Sequence, residues 1–217
     1  MNPVYIVDSI RTPRARANKK GGLNKLNPYE LLDFLYKDIE QKKFLQLSSI
    51  DEVILGCVTQ YGEQAGNIAK SSALFSGYPD SISGLTVNRF CSSSLDAINL
   101  GYLKVQSQQA DNVLAGGVEM MSRVPMLSDD AAIWNDINIA GQAKIFFMGS
   151  GADLIASLFK MSRDDVDRQA LKSQENALNA QKNNYFKSII PVIFKTKSIN
   201  CIHDECSSRN TPFECLA

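Results

Sequence analysis

Two hydrophobic periods alternate along the first two thirds of the chain. Short apolar, β-rich runs at residues 4–10, 52–58, 84–88 and 112–115 read as buried strands. Segments of helical spacing lie between them. Asn27 is a capping residue and Pro28 a favoured first helical residue, and Leu31, Phe34, Leu35 and Ile39 then repeat along one apolar face. A second helix is predicted from about residue 67 to 75, stopping near Gly77. A third follows Cys91, where Leu95, Ile98, Tyr102 and Val105 again fall at helical spacing. Strand–helix–strand alternation predicts an α/β layered fold, with a mixed, largely parallel sheet and helices on both faces.

The texture changes after Ala115. Gly116-Gly117 opens a stretch containing Pro125, Asp129, Asp130 and Gly141 that keeps no steady period, which predicts an inserted loop subdomain. Within it, Ser162 followed by Asp165 is a capping pair for a helix reaching about residue 183. Residues 189–195 resemble a short strand, and the last residues are polar and irregular. The expected division is a core domain over residues 1–120 and a loop subdomain over 121–217.

Composition narrows the functional classes. Of the 217 residues, 44% are hydrophobic and 21% charged, so a packed core is expected. Lys+Arg and Asp+Glu stand at 23 each, which leaves no global field to attract nucleic acid or an anionic membrane. The first apolar run is only a strand long and charge follows at once, so neither a signal peptide nor a spanning helix is expected, and the cytoplasm is the expected compartment. Five cysteines, an odd and sparse count, suit reduced thiols. Cys201, His203, Cys206 and Cys215 could be drawn as a zinc set, but the spacing lacks a paired C-x₂-C knuckle, so no metal is assigned.

The chemistry centres on Cys91. It stands between a run of strand character and a run of helix character, so its sulfur is expected at a helix N-terminus, where unpaired N–H groups and the helix dipole favour an anionic sulfur. Tight strand-to-helix turns recur in acyl-transfer enzymes because they expose the attacking atom beside donors for an oxyanion. A lone cysteine before a helix equally fits a buried structural residue.

The surrounding residues carry a resemblance. VNRFCSSSLDAINLGYLKVQSQQADNVLAGGVEMMSRVPM resembles the nucleophile segment of the thiolases. IVDSIRTP resembles their opening strand, ILGCVTQYGEQAGNIAKSSALFSGYP their second strand and following helix, and MGSGADLIASLFKMSRDDVDRQALKSQENA their loop domain. The resemblance covers nearly the whole chain in order. It implies the N-terminal half of a two-half α/β fold, with a CoA-side loop subdomain inserted and the second half missing.

It also implies that Cys91 accepts an acyl group from a 3-oxoacyl-CoA, releases acetyl-CoA and passes the acyl group to CoA, or runs the reverse condensation. Coenzyme A would then be a substrate, with no separate cofactor. Met148 is an implied residue of the acyl or pantetheine pocket. Ser94, where many thiolases have Gly, and Phe147, where acetoacetyl-CoA-type members commonly have His, lean toward a degradative 3-oxoacyl-CoA thiolase. Thiolases supply a His base and a second Cys from the C-terminal half, and neither motif occurs here. His203, the single His, has no matching setting. The expectation is therefore an incomplete acyltransferase, inactive as a lone chain and partnered by itself or by a missing half. A subunit of a two-chain thiolase, a non-catalytic CoA-binding or oligomerisation module, and a related condensing enzyme remain as alternatives.

Overall fold

The structure, a computed structural model, describes residues 3–42 and 46–206. The chain divides into two compact units, residues 1–129 with 188–203, and residues 130–187 with 204–217.

The first unit is built on a parallel sheet. Strands β1 (Glu52–Gly56), β2 (Ser83–Val87) and β3 (Val113–Gly117) are ordered β2-β1-β3, with Ile54 opposite both Leu85 and Ala115. Every residue of the central β1 is buried, as expected for a strand covered on both faces. Helices α1 (Pro28–Gln41) and α2 (Ile68–Phe75) accompany one face, and their Leu32, Tyr36, Ile68, Ala69 and Ala73 cluster with Val53, Leu55 and Cys57. Alternate residues of a strand point to opposite faces, so Gly56 looks the other way, onto helix α3 (Ser93–Gln106).

Helix α1 starts where the sequence places it. The Asn27 side chain accepts from the Glu30 backbone N–H at 2.9 Å, and the Glu30 carboxylate accepts from the Asn27 N–H at 3.0 Å, a reciprocal cap. Its inward face differs from the expected one. Leu31, Leu32 and Tyr36 are buried, whereas Leu35 and Ile39 are only half-buried. The helix serves two clusters, since Leu31 and Phe34 pack with Leu23, Leu26 and Met120 while Leu32 and Tyr36 face the sheet.

The second cluster also takes in a hairpin of β4 (Val192–Phe194) and β5 (Ile199–Cys201), antiparallel with Val192 opposite Cys201. Lys197 in its turn pairs with the Glu30 carboxylate, at 2.7 Å to Oε2, tying the hairpin to the α1 cap. The strand expected over 189–195 is thus shorter and has a partner that the sequence did not announce.

The expected buried strand at residues 4–10 is not formed. Both sides of β1 are taken by β2 and β3, and pairing begins only at Arg11, whose N–H donates to the Ser188 carbonyl at 2.9 Å. Without a ladder neighbour the apolar run forms no strand, and Tyr5, Ile6 and Val7 are exposed, Ile6 to 82%.

The second unit contains α4 (Ala132–Asn135), α5 (Ile137–Gln142), α6 (Met148–Leu158) and α7 (Arg163–Lys182). Ser162 and Asp165 form the capping box of α7 that their spacing predicts. Between residues 130 and 187, Asp167 alone is buried. Among the described residues no helix is long and apolar enough to cross a membrane.

Candidate active site

Three parallel strands end together. Gly56 of β1 is level with Val87 of β2 and Gly117 of β3, so the carboxyl ends of all three open on one side, where ligands of open α/β sheets are bound. The turn leaving β2 carries Cys91 to that edge and starts α3 there.

Helix α3 lies unusually low on the sheet. Ser93, Ala97 and Gly101, spaced by four, form its buried side. A methyl group built on Gly56 would stand 2.5 Å from Ser93 C and Ser94 N, and one on Gly117 would overlap the Ser94 hydroxyl and come within 2.7 Å of the Gly56 carbonyl. Only glycine at both positions lets the first turn of α3 rest against the strand ends. Gly117 is therefore one half of a tight backbone passage, and Gly56 is the other. Gly56 carries no signal of this in the sequence, because a single glycine closing an apolar run looks like an ordinary strand end.

Cys91 is an exposed free thiol. The N-cap residue Ser92 makes no side-chain capping hydrogen bond, and of the first-turn donors the Ser93 N–H is taken by the Phe90 carbonyl at 3.0 Å. Such a terminus presents backbone donors and partial positive charge to an acyl carbonyl or an oxyanion held next to the sulfur. Arg89 pairs with Asp96 at 2.8 Å across the same turn.

Cys57 offers a contrast only one residue beyond β1. Burial, and then the charge of Glu119, push its thiol up to about 12, which keeps it neutral and unreactive. Core packing is its role, as its place in the apolar run suggests.

The other sequence candidates stand on other elements of the chain. Met148 opens α6 in the second unit and is exposed together with Phe146 and Phe147. His203 follows β5 and is exposed, and its carbonyl accepts from the buried Cys201 thiol at 3.8 Å. Among the described residues, no three His, Cys, Asp or Glu side chains are grouped to hold a metal. Cys215 lies outside them.

The outer side of α3 is apolar and uncovered. Leu95, Ile98 and Tyr102 are 59%, 43% and 46% exposed. This is the stripe whose helical spacing predicts the helix. Ala97, on the opposite side of the helix, is fully buried.

The thiolase N-terminal domain profile matches residues 4–217. The chain belongs to the thiolase family. Among curated relatives it is 36% identical to a beta-ketoadipyl-CoA thiolase of Pseudomonas knackmussii, with 99% of this chain and 58% of the relative covered. It is 34% identical to the 3-oxoadipyl-CoA/3-oxo-5,6-dehydrosuberyl-CoA thiolase of Escherichia coli K12, covering 100% of this chain and 59% of that one. Among solved structures, an acetyl-CoA acetyltransferase of Bacillus anthracis superposes with a TM-score of 0.80 at 27% identity, over 96% of this chain and 56% of that one. The α/β thiolase fold is thereby shown, and the chain spans somewhat more than half the length of the relatives it matches.

Proposed function

We propose that this chain carries the nucleophile half of a thiolase-type acyl transfer. Cys91 Sγ attacks the thioester carbonyl of an acyl-CoA, the bond from that carbon to the CoA sulfur breaks, and CoA leaves as a thiol with the proton given up by Cys91. The acyl group then stands on Cys91 until a second CoA thiol removes it. The observation that carries this reading is the exposed thiol at the uncapped start of α3, resting on Gly56 and Gly117 in a member of this family. Met148, at the start of α6 in a stretch that this reading assigns to a CoA-side subdomain within 121–217, is the proposed pocket residue. The cytoplasm, where thiols stay reduced, suits the chemistry.

Cleavage of a 3-oxoacyl-CoA also needs a base for the thiol and an acid/base for the acetyl-CoA enolate. The thiolase resemblance implies a His and a second Cys for these roles, and no residue around Cys91 described above supplies them. In this reading the segment that provides them, whichever polypeptide carries it, covers Leu95, Ile98 and Tyr102. A second copy of this chain is the other reading favoured by that face.

Two assays test the proposal. The chain alone exchanges labelled CoA into acetyl-CoA slowly, and Cys91→Ala abolishes the exchange. Steady-state thiolysis of a 3-oxoacyl-CoA by the chain alone is negligible, since losing cooperating catalytic groups costs several orders of magnitude. Exchange that survives Cys91→Ala, or rapid thiolysis with saturable CoA dependence, contradicts it.

A further inference from the structure

The turn that presents Cys91 has an unfavourable backbone held by two side chains. Phe90, immediately before the nucleophile, sits at φ 49°, a left-handed conformation that a bulky L-residue rarely adopts. On one side of Cys91 the buried Ser93 hydroxyl closes a loop around it, accepting from the Arg89 N–H at 2.8 Å and donating to the Phe90 carbonyl at 2.6 Å. The same carbonyl receives the Ser93 N–H at 3.0 Å. On the other side Asn88 accepts the Phe90 N–H at 2.9 Å and donates to the Val58 carbonyl at 3.1 Å.

These bonds continue into the loops at the carboxyl edge of the sheet. The Val58 N–H donates to the Glu119 carboxylate at 2.8 Å. Glu119 also accepts from the fully buried Gln64 side chain at 2.7 Å, and Gln64 in turn accepts the Met120 N–H at 2.5 Å. The loops leaving β1 and β3 are thus joined to the peptide that precedes Cys91.

We infer that Ser93 and Asn88 are positioning residues, which fix Phe90 in its left-handed conformation and so set the direction and access of the Cys91 thiol. The inference rests on Cys91 being the acyl acceptor, but it can be tested without acyl transfer. Ser93 satisfies two backbone groups flanking the nucleophile from a place where Gly56 leaves room for it. An alanine there keeps the helix and loses both bonds.

The test is alkylation of the full chain by iodoacetamide, with the rate at Cys91 divided by the rate at Cys206, also an exposed thiol, resolved by mass spectrometry. The native ratio is expected to differ at least threefold from that in urea. Ser93→Ala and Asn88→Ala move it at least halfway to the urea value. Asn88→Asp, which keeps the acceptor for Phe90, stays nearer the wild type than Asn88→Ala. Leu55→Ala, which loosens the core on the other side of the sheet, leaves the native ratio unchanged. A wild-type ratio equal to the urea ratio, a Ser93→Ala ratio equal to the wild type, or an equal shift in Leu55→Ala overturns the inference. A ratio that responds as expected while no acyl group reaches Cys91 supports the clamp and removes the acyl-acceptor reading.

Discussion

The two faces of the β2-β1-β3 sheet are covered in opposite ways. On one face α1 and α2 bring large side chains inward, and Leu32, Tyr36 and Ile68 bury against Val53 and Leu55. On the other, α3 turns its small residues Ser93, Ala97 and Gly101 to the sheet and leaves Leu95, Ile98 and Tyr102 outside. The first arrangement stabilises the unit by apolar burial. The second brings the helix N-terminus and Cys91 down onto Gly56 and Gly117, which a thick apolar layer would prevent. The helix that starts beside Cys91 is therefore the one whose large apolar side chains are left exposed.

Substitutions that break or sharpen this contrast should fall in a definite order. Leu55→Ala removes a fully buried side chain from the thick face and is expected to cost about 3 kcal/mol, read from the urea midpoint. Gly56→Ala attacks the thin face from below. Its new methyl meets backbone of α3, so the helix must rise, at about 2 kcal/mol and with altered Cys91 alkylation.

Tyr36→Phe, on the thick face, loses the 3.1 Å bond between its hydroxyl and that of Ser72 and is expected to cost about 1 kcal/mol. It also changes the response to alkali. Burial, partly offset by the Ser72 bond, pushes the Tyr36 hydroxyl up to about 12 from 10.0. The folded state then holds a proton that the unfolded state releases, so this contribution is whole below about pH 10 and is lost as pH rises toward 12. Tyr36→Phe flattens that decline in alkaline urea titrations.

Ile98→Lys with Tyr102→Lys, on the bare outer side of α3, should change stability by less than about 0.5 kcal/mol. Where a second copy of the chain covers this face, the same pair should abolish the resulting self-association, measured by light scattering. A loss of stability as large as that of Leu55→Ala would show that this face is covered within the chain.

Much of the fold was legible because local signals agreed with one another. Asn27-Pro28 and Ser162 with Asp165 start helices where their capping chemistry says, and β1 is the buried strand that its continuous apolar run predicts. Periodicity failed where burial depended on a neighbour that spacing cannot show. Residues 4–10 have strand composition but no ladder to join. The stripe of α3 predicts a helix correctly yet does not say which side meets the sheet.

The place of Cys91 at the start of α3 was legible from its position between a strand run and a helix run. The bonds of Asn88, Gln64 and Glu119 were not, since they join loops far apart in the chain, Gln64 to Glu119 across 55 positions and Asn88 to Val58 across 30, and Ser93, whose bonds are local, looks like any first-turn serine. A polar residue that will be buried by a distant loop looks, in sequence, like any surface residue.

The most direct test of the central claim is intact-mass and peptide analysis of the chain after incubation with acetyl-CoA. One acetyl group on Cys91, released by hydroxylamine and absent from Cys91→Ser, is the predicted result. No acetyl group on Cys91, or acetylation of Cys206 to the same extent, would contradict it.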